Sequence, residues 1–506
     1  MSVAGIKNHF ANWRQWELNP IVIKELRQAV RSWAVTGMLL LFLSVLFITS
    51  LIFLVSQSFE ADDNMQLGSS MFSTFMVILA VTSVFFIPLY VGVRVAVERQ
   101  ENNPDLLYIS TLSPARIIRG KFLCGAYMAL LFFCACMPFM ALTNLLRGVD
   151  LPTVFFILFY LFMVVCAANQ IAICFACVPA SRPFKILFAL GGFIASFWIV
   201  IPLILVSFRF MGSGIGSMMG EHNFWIGVLT AVVVSSAVIG LFFVLSVALI
   251  SPPSANRALP VRIYMTVIWL VGGLLNLGWV VQMGEARLMD VWGYSTFAAM
   301  IFSLVVAISN SDQLSHRVQR AIPRSRLKRM LSFMFFNGAA GGLIWVAAIL
   351  AATFVVTKEV IILFPKLSTG PTEGRHWFVT TTAYAFDYAL TALFVHRRFL
   401  SRLPPKITGL LAALLAGAWA IAPSIVLFFL NQLSWKSIEG LQLGNVFNVF
   451  SLLNEGQLLY HQWFAFGWLF VATAINMKWF LRQVKSFQPP DRTQTPPLIN
   501  EISPAA

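Results

Sequence analysis

Residues 33–55 read WAVTGMLLLFLSVLFITSLIFLV, with no charged side chain between Trp33 and Val55. A helix needs about 20 mostly apolar residues to cross the hydrocarbon core of a bilayer, and this run supplies them. Backbone polar groups find no water at that depth, so the segment must pair them within itself as an α-helix. The run is too long for the apolar core of a cleavable signal peptide, and a polar, basic segment precedes it. The expectation is a retained membrane span.

Eleven further stretches of the same kind follow. They are Ser73–Val93, Phe122–Leu142, Leu151–Val178, Phe184–Ser207 and Trp225–Leu249, then Ile263–Val281, Val291–Ser309, Leu331–Val356, Trp377–Val395, Gly409–Leu430 and Phe464–Leu481. The whole chain of 506 residues agrees: 59% is hydrophobic, 11% is charged, and the mean hydropathy is +0.81. Soluble domains are about 45–50% apolar and about 25% charged. The composition therefore excludes a soluble enzyme, a nucleic-acid-binding protein and a disordered chain. The fold class expected is an all-α polytopic membrane protein with twelve transmembrane helices.

The formal net charge of +15 sorts by side. With the N-terminus cytoplasmic and the spans alternating, 28 of the 35 Lys and Arg fall in or beside the inner segments and seven in the outer ones. Acidic residues divide as eight inside, eleven outside and Asp387 within a span. Cytoplasmic loops collect Lys and Arg, and a miscounted helix would spoil the asymmetry, so both termini are expected in the cytoplasm. The basic excess thus predicts orientation and contact with membrane lipids, not a nucleic-acid partner.

Four divisions follow: residues 1–32 as a cytoplasmic interface segment, 33–251 and 252–485 as six-helix halves, and 486–506 as a Pro-rich disordered tail. Long cytoplasmic loops follow the second and eighth spans, and long external loops follow the fifth and eleventh. This spacing of six suggests a tandem repeat.

Two cytoplasmic segments carry readable chemistry. In the first, Asn19 caps a helix opened by Pro20, whose missing N–H costs nothing at that position. Ile23, Leu26 and Val30 then recur at helical spacing opposite Lys24 and Arg31, the pattern of a helix lying in the membrane interface. The second runs from Glu98-Arg99 through a turn at Asn103-Pro104 to a short exposed stretch, Asp105 to Thr111. Leu106, Leu107 and Ile109 in that stretch must pack back on the bundle or fill a groove on a cytoplasmic partner. Ser113-Pro114 then starts the helix that carries Gly120-Lys121 into the third span.

At these two places the chain resembles the membrane subunits of type-2 ATP-binding-cassette exporters. Their interface helix often reads Asn-Pro-Ile followed by Lys-Glu and Arg, as Asn19, Pro20, Ile21, Lys24, Glu25 and Arg27 do here. Their first cytoplasmic loop runs Glu-Arg, Leu-Leu, Thr-(Pro)-Leu-Ser-Pro and Gly-Lys. Glu98-Arg99, Leu106-Leu107, Thr111-Leu112-Ser113-Pro114 and Gly120-Lys121 keep that order, without a Pro after Thr111. The resemblance covers about the first 250 residues and extends to the second half only by analogy. It implies that Glu98, Asp105, Leu106, Leu107, Ile109, Thr111, Ser113 and Pro114 form the loop that docks on a separate cytoplasmic ATPase subunit. It further implies an exporter in the inner membrane of a bacterial cell, with the pathway formed by the two halves or by two copies of the chain. On this reading the chain is not itself an enzyme and needs no cofactor.

The other signals are sparser. Asp387 is the one ionisable residue near the middle of a span. It is expected either to be protonated and bonded to a neighbouring helix, or to serve as the coupling site of an ion-driven secondary transporter. Arg317, Arg320, Arg324, Arg326, Lys328 and Arg329 crowd one cytoplasmic loop. That crowding predicts an orientation signal with headgroup contacts, or a second-half counterpart of the docking loop. The six Cys all lie between Cys124 and Cys177 in apolar stretches, and the six His are scattered, so neither a disulfide framework nor a metal ligand set is expected. The external glycines Gly212, Gly214, Gly216 and Gly220 lack the Gly-Lys-Ser/Thr of a phosphate loop. A membrane-embedded enzyme would need acids, His or Arg clustered near one interface, and the sequence groups none.

Overall fold

The computed structural model of the chain describes residues 20–57, 64–101, 113–146, 149–179, 182–213, 215–285, 288–363, 373–432, 442–451 and 455–490. Of the described residues 87% are helical, and none is in a strand. Eleven of the described helices are long and apolar enough to cross a membrane. The expected crossing at Gly409–Leu430 falls in the helix Ile407–Gln432. The protein is an all-α polytopic membrane protein. Its chain divides into two compact units, Met1–Pro252 and Pro253–Ala506.

In the first unit, α1 (Pro20–Val30) leads into α2 (Trp33–Gln57) and then α3 (Asn64–Val81). One π-helical turn, Thr82–Phe86, joins α3 to α4 (Ile87–Glu101). Pro88 explains the turn: it has no N–H for the Val84 carbonyl and its ring crowds that carbonyl, so the helical ladder must open just before it. Then come α5 (Pro114–Leu145), α6 (Leu151–Cys177), α7 (Arg182–Ser213), the short α8 (Ile215–Met218) and α9 (His222–Ile250). Helix α6 is central and packs on α4, α5, α7 and α9. Phe42, Phe72, Phe75, Phe132 and Leu161 are fully buried in the apolar core around it. Gly125 on α5 lets α6 approach until Asn169 donates to the Phe122 carbonyl at 3.3 Å; a Cβ at position 125 would overlap the Asn169 amide. Small residues at crossings are how helices associate where lipid removes the usual hydrophobic drive.

The second unit contains α10 (Ala258–Met283), α11 (Leu288–Ile308), α12 (His316–Arg320), α13 (Arg326–Phe333) and α14 (Ala339–Leu363). It continues with α15 (Glu373–Phe399), α16 (Ile407–Gln432), α17 (Val446–Ser451) and α18 (Glu455–Ser486). Helix α15 is central here and packs on α11, α14, α16, α17 and α18. One expected boundary falls in a different helix. The ninth span was drawn from Leu331, but Leu331 belongs to the separate amphipathic helix α13, and the membrane helix starts at Ala339. The break between them is made by Gly338 at φ +134° and by Arg262, whose buried guanidinium takes up the carbonyls of Met334, Phe336 and Gly338.

Candidate functional site

Helix α1 packs against α5 through one face only. Val22, Glu25, Leu26 and Ala29 recur at spacings of three and four and turn inward, whereas Ile23 and Val30 are 43% and 74% exposed. The sequence assigned Ile23, Leu26 and Val30 to one apolar stripe. In the structure that stripe is split, and the bundle takes the edge that carries a carboxylate.

That carboxylate has a built partner. Lys121 Nζ lies 3.0 Å from Glu25 Oε1 and bonds Glu98 Oε2 as well. The side chains of Lys121 and Glu25 are only 10% and 7% exposed, and that of Glu98 is 29% exposed. Lys24 Nζ stands 3.9 Å from the other Glu98 oxygen. One turn before Glu98 on α4, Arg94 donates to Tyr90 Oη at 2.9 Å and to Gln28 Oε1 on α1. A single ammonium thus ties α1, α4 and α5 together, and a second cation ties α4 to α1 again. Buried charges are tolerated when paired in this way, and the arrangement fixes the angle at which α1 meets the spanning helices.

The cluster also brackets the loop singled out in the sequence. Residues 102–112 join the end of α4 to Ser113, and Glu98 and Lys121 stand on either side of that loop, bonded to each other. Ser113 is the extended residue before α5 and Pro114 is its first helical position; the Ser113 hydroxyl makes no capping bond. Asn19, Asp105, Leu106, Leu107, Ile109 and Thr111 lie outside the described residues. Pro20 opens α1. The structure therefore joins Lys24, Glu25 and Glu98, and adds Gln28, Tyr90, Arg94 and Lys121. Sequence reading met Lys121 only as half of a Gly-Lys pair and counted Arg94 as one loop cation. Each is a lone cation at the end of an apolar helix, a signal that a partner is needed but not of which residue supplies it.

The second site surrounds Asp387 on α15, which is 0% exposed. Neither carboxyl oxygen has a hydrogen-bond partner among the described residues, so the expected bond to a neighbouring helix is not found among them. The adjacent tyrosines are committed elsewhere. Tyr384 Oη meets His461 Nδ1 at 2.9 Å and accepts from the Gly444 amide at 3.2 Å, and Tyr388 donates to the Gly444 carbonyl. Beside this layer lies an open groove of about 510 Å³ between α14, α15 and α18, lined by Ala347, Phe354, Ala383, Phe386, Leu469 and Asn476 among others. Ala383 and Phe386, four and one residues before Asp387, line the groove, and Asp387 itself does not.

Among the described residues no three His, Cys, Asp or Glu side chains gather as a metal site, and all six cysteines are free. Comparison with known protein families, curated proteins and solved structures finds no match.

Proposed function

We propose that this chain is the membrane permease subunit of an exporter driven by a separate cytoplasmic ATPase of the ATP-binding-cassette class, working in the inner membrane of a bacterial cell. The observation that supports this reading is the convergence at Lys121. Three of the five segments that carry the family resemblance, 20–27, 98–99 and 120–121, each place a charged residue in one ion cluster. An ATPase outside the bilayer can act on spanning helices only through a rigid piece joined to them. A loop whose two flanks are bonded to each other and to an interface helix meets that requirement. Asp105 to Thr111 would be the docking stretch. The substrate path would be formed by this chain alone or by two copies of it.

The test is purification in mild detergent with mass spectrometry of co-purifying proteins, beside a Leu106→Asp/Leu107→Asp variant. A soluble phosphate-loop ATPase that accompanies the wild type and is lost from the variant supports the proposal. Its absence from both overturns it.

A second reading rests on Asp387. A buried carboxyl without a hydrogen-bond partner in a spanning helix is expensive and marks an ion or proton path by default, so an ion-coupled secondary transporter is the rival. Transport in vesicles that lack any ATPase, abolished by Asp387→Asn, would favour it.

A further inference from the structure

The segment between α11 and α14 is a built platform. Ser315 Oγ donates to the Ser254 carbonyl at 2.8 Å. Asn337 reaches the Ala255 carbonyl at 3.2 Å and accepts from the Ala258 amide at 2.8 Å, while its own amide donates to Asn256 Oδ1 at 3.2 Å. Arg262 on α10 holds the carbonyls of Met334 and Phe336 at 2.8 and 2.7 Å. Trp479 on α18 donates to Asp312 Oδ2 at 2.8 Å. Val318, Ile322, Phe336 and Phe487 close a small apolar core of their own, with the Phe487 ring 5.2 Å from Phe333 and 5.4 Å from Phe336. The backbone is therefore fixed to the start of α10, to the end of α18 and to the entrance of α14.

On that fixed base α13 holds an apolar stripe outward. Leu327, Met330 and Leu331, spaced i, i+3 and i+4, are 68%, 72% and 56% exposed. Phe333, on another side of the helix, faces Phe487, so the platform already uses its own apolar face. Arg326 and Lys328 flank the stripe. None of Arg317, Arg320, Arg324, Arg326, Lys328 and Arg329 has a carboxylate within salt-bridge distance among the described residues. A few residues beyond Phe333 the chain enters α14, a membrane-spanning helix by length and composition. The stripe therefore sits where hydrocarbon meets water.

We infer that α13 is a membrane-inserted foot that binds anionic phospholipid. Leu327, Met330 and Leu331 enter the acyl boundary, and Arg326, Lys328 and Arg329 take headgroup phosphates, with Arg320 and Arg324 close by in sequence. A basic helix with an apolar stripe lies in the interface plane, and the long stems of Lys and Arg let apolar residues sink while the charges stay in water. An acidic protein surface would meet the charges but leave the stripe beside the bilayer uncovered. The inference goes beyond the permease proposal and holds whatever energy source drives the chain.

The test is amide hydrogen exchange of residues 326–333 in the full chain, held in nanodiscs of phosphatidylcholine alone or with phosphatidylglycerol. The expected result is exchange slowed by at least about tenfold when the anionic lipid is present. Arg326→Gln/Lys328→Gln/Arg329→Gln should erase that difference, with exchange at 253–262 unchanged as the control for an intact platform. The comparison of two lipids on the unaltered chain decides the matter even where the variant does not fold. Equal exchange in both lipids overturns the inference. So does protection that appears only when a soluble partner protein is added.

Discussion

Replacing Lys121 by Met removes the cation shared by Glu25 and Glu98 and leaves two carboxylates facing each other at the base of α1. The side chain of Met fills much of the same space, so the change reads charge and not volume. Breaking a buried pair by deleting one partner costs about 3–5 kcal/mol, because the survivor is left buried and uncompensated. Two features place this case at the low end: Glu98 is 29% exposed, and Lys24 still stands 3.9 Å from it. The expected loss is about 3 kcal/mol, on the order of a hundredfold in the docking equilibrium of α1. Adding Glu25→Gln removes the orphaned carboxylate and should recover about 1–2 kcal/mol, a non-additivity expected of groups in direct contact. The assay is hydrogen exchange of the α1 amides in detergent or nanodiscs, read beside the thermal midpoint. Exchange at 22–30 should accelerate by about a hundredfold in Lys121→Met and by clearly less in the double variant. If the α1 amides of a folded Lys121→Met protein exchange at the wild-type rate, the ion cluster does not hold the interface helix, and the observation behind the proposed function goes with it.

Three further outcomes are expected from the packing. Arg262→Met strands the carbonyls of Met334, Phe336 and Gly338, at a cost of about 3 kcal/mol or more; residues 309–338 should become protease-sensitive while the first unit keeps its exchange pattern. Gly342→Ala would bring a Cβ within 2.7 Å of Arg262 Nη2 and against Ala307, so overpacking of about 1–3 kcal/mol should lower the thermal midpoint, whereas Gly417→Ala, with open space around it, should not. Tyr384→Phe loses the bonds to His461 and to the Gly444 amide and should cost about 1–2 kcal/mol, seen as faster exchange at 442–446.

Much of the fold was legible because hydrocarbon imposes a simple rule: a long apolar run must close its own hydrogen bonds as a helix. Hence Trp33–Val55 and most of its successors were found within a few residues of their ends. The rule fails where helices are short and half-wet. Leu331 looked like the start of a span because hydropathy sums over neighbours, whereas Gly338 and the reach of Arg262 decide where the chain turns into the bilayer. Phe487 was grouped with a polar tail; its burial against Phe333 and Phe336 depends on residues some 150 positions away.

The candidate sites divide the same way. Lys24, Glu25, Glu98 and Asp387 were visible as charges in unusual places, since each breaks or borders an apolar pattern. Their partners were not. Pairing depends on depth and rotation along separate helices, and helix packing in three dimensions sets both. The sequence by itself determined a multi-pass helical membrane protein, because apolar length acts locally. Only the tertiary structure decided that Lys121 belongs to Glu25 and Glu98, that Asp387 has no bonding partner among the described residues, and that α13 holds its apolar stripe outward, because each depends on which side chains distant in sequence arrive at the same place.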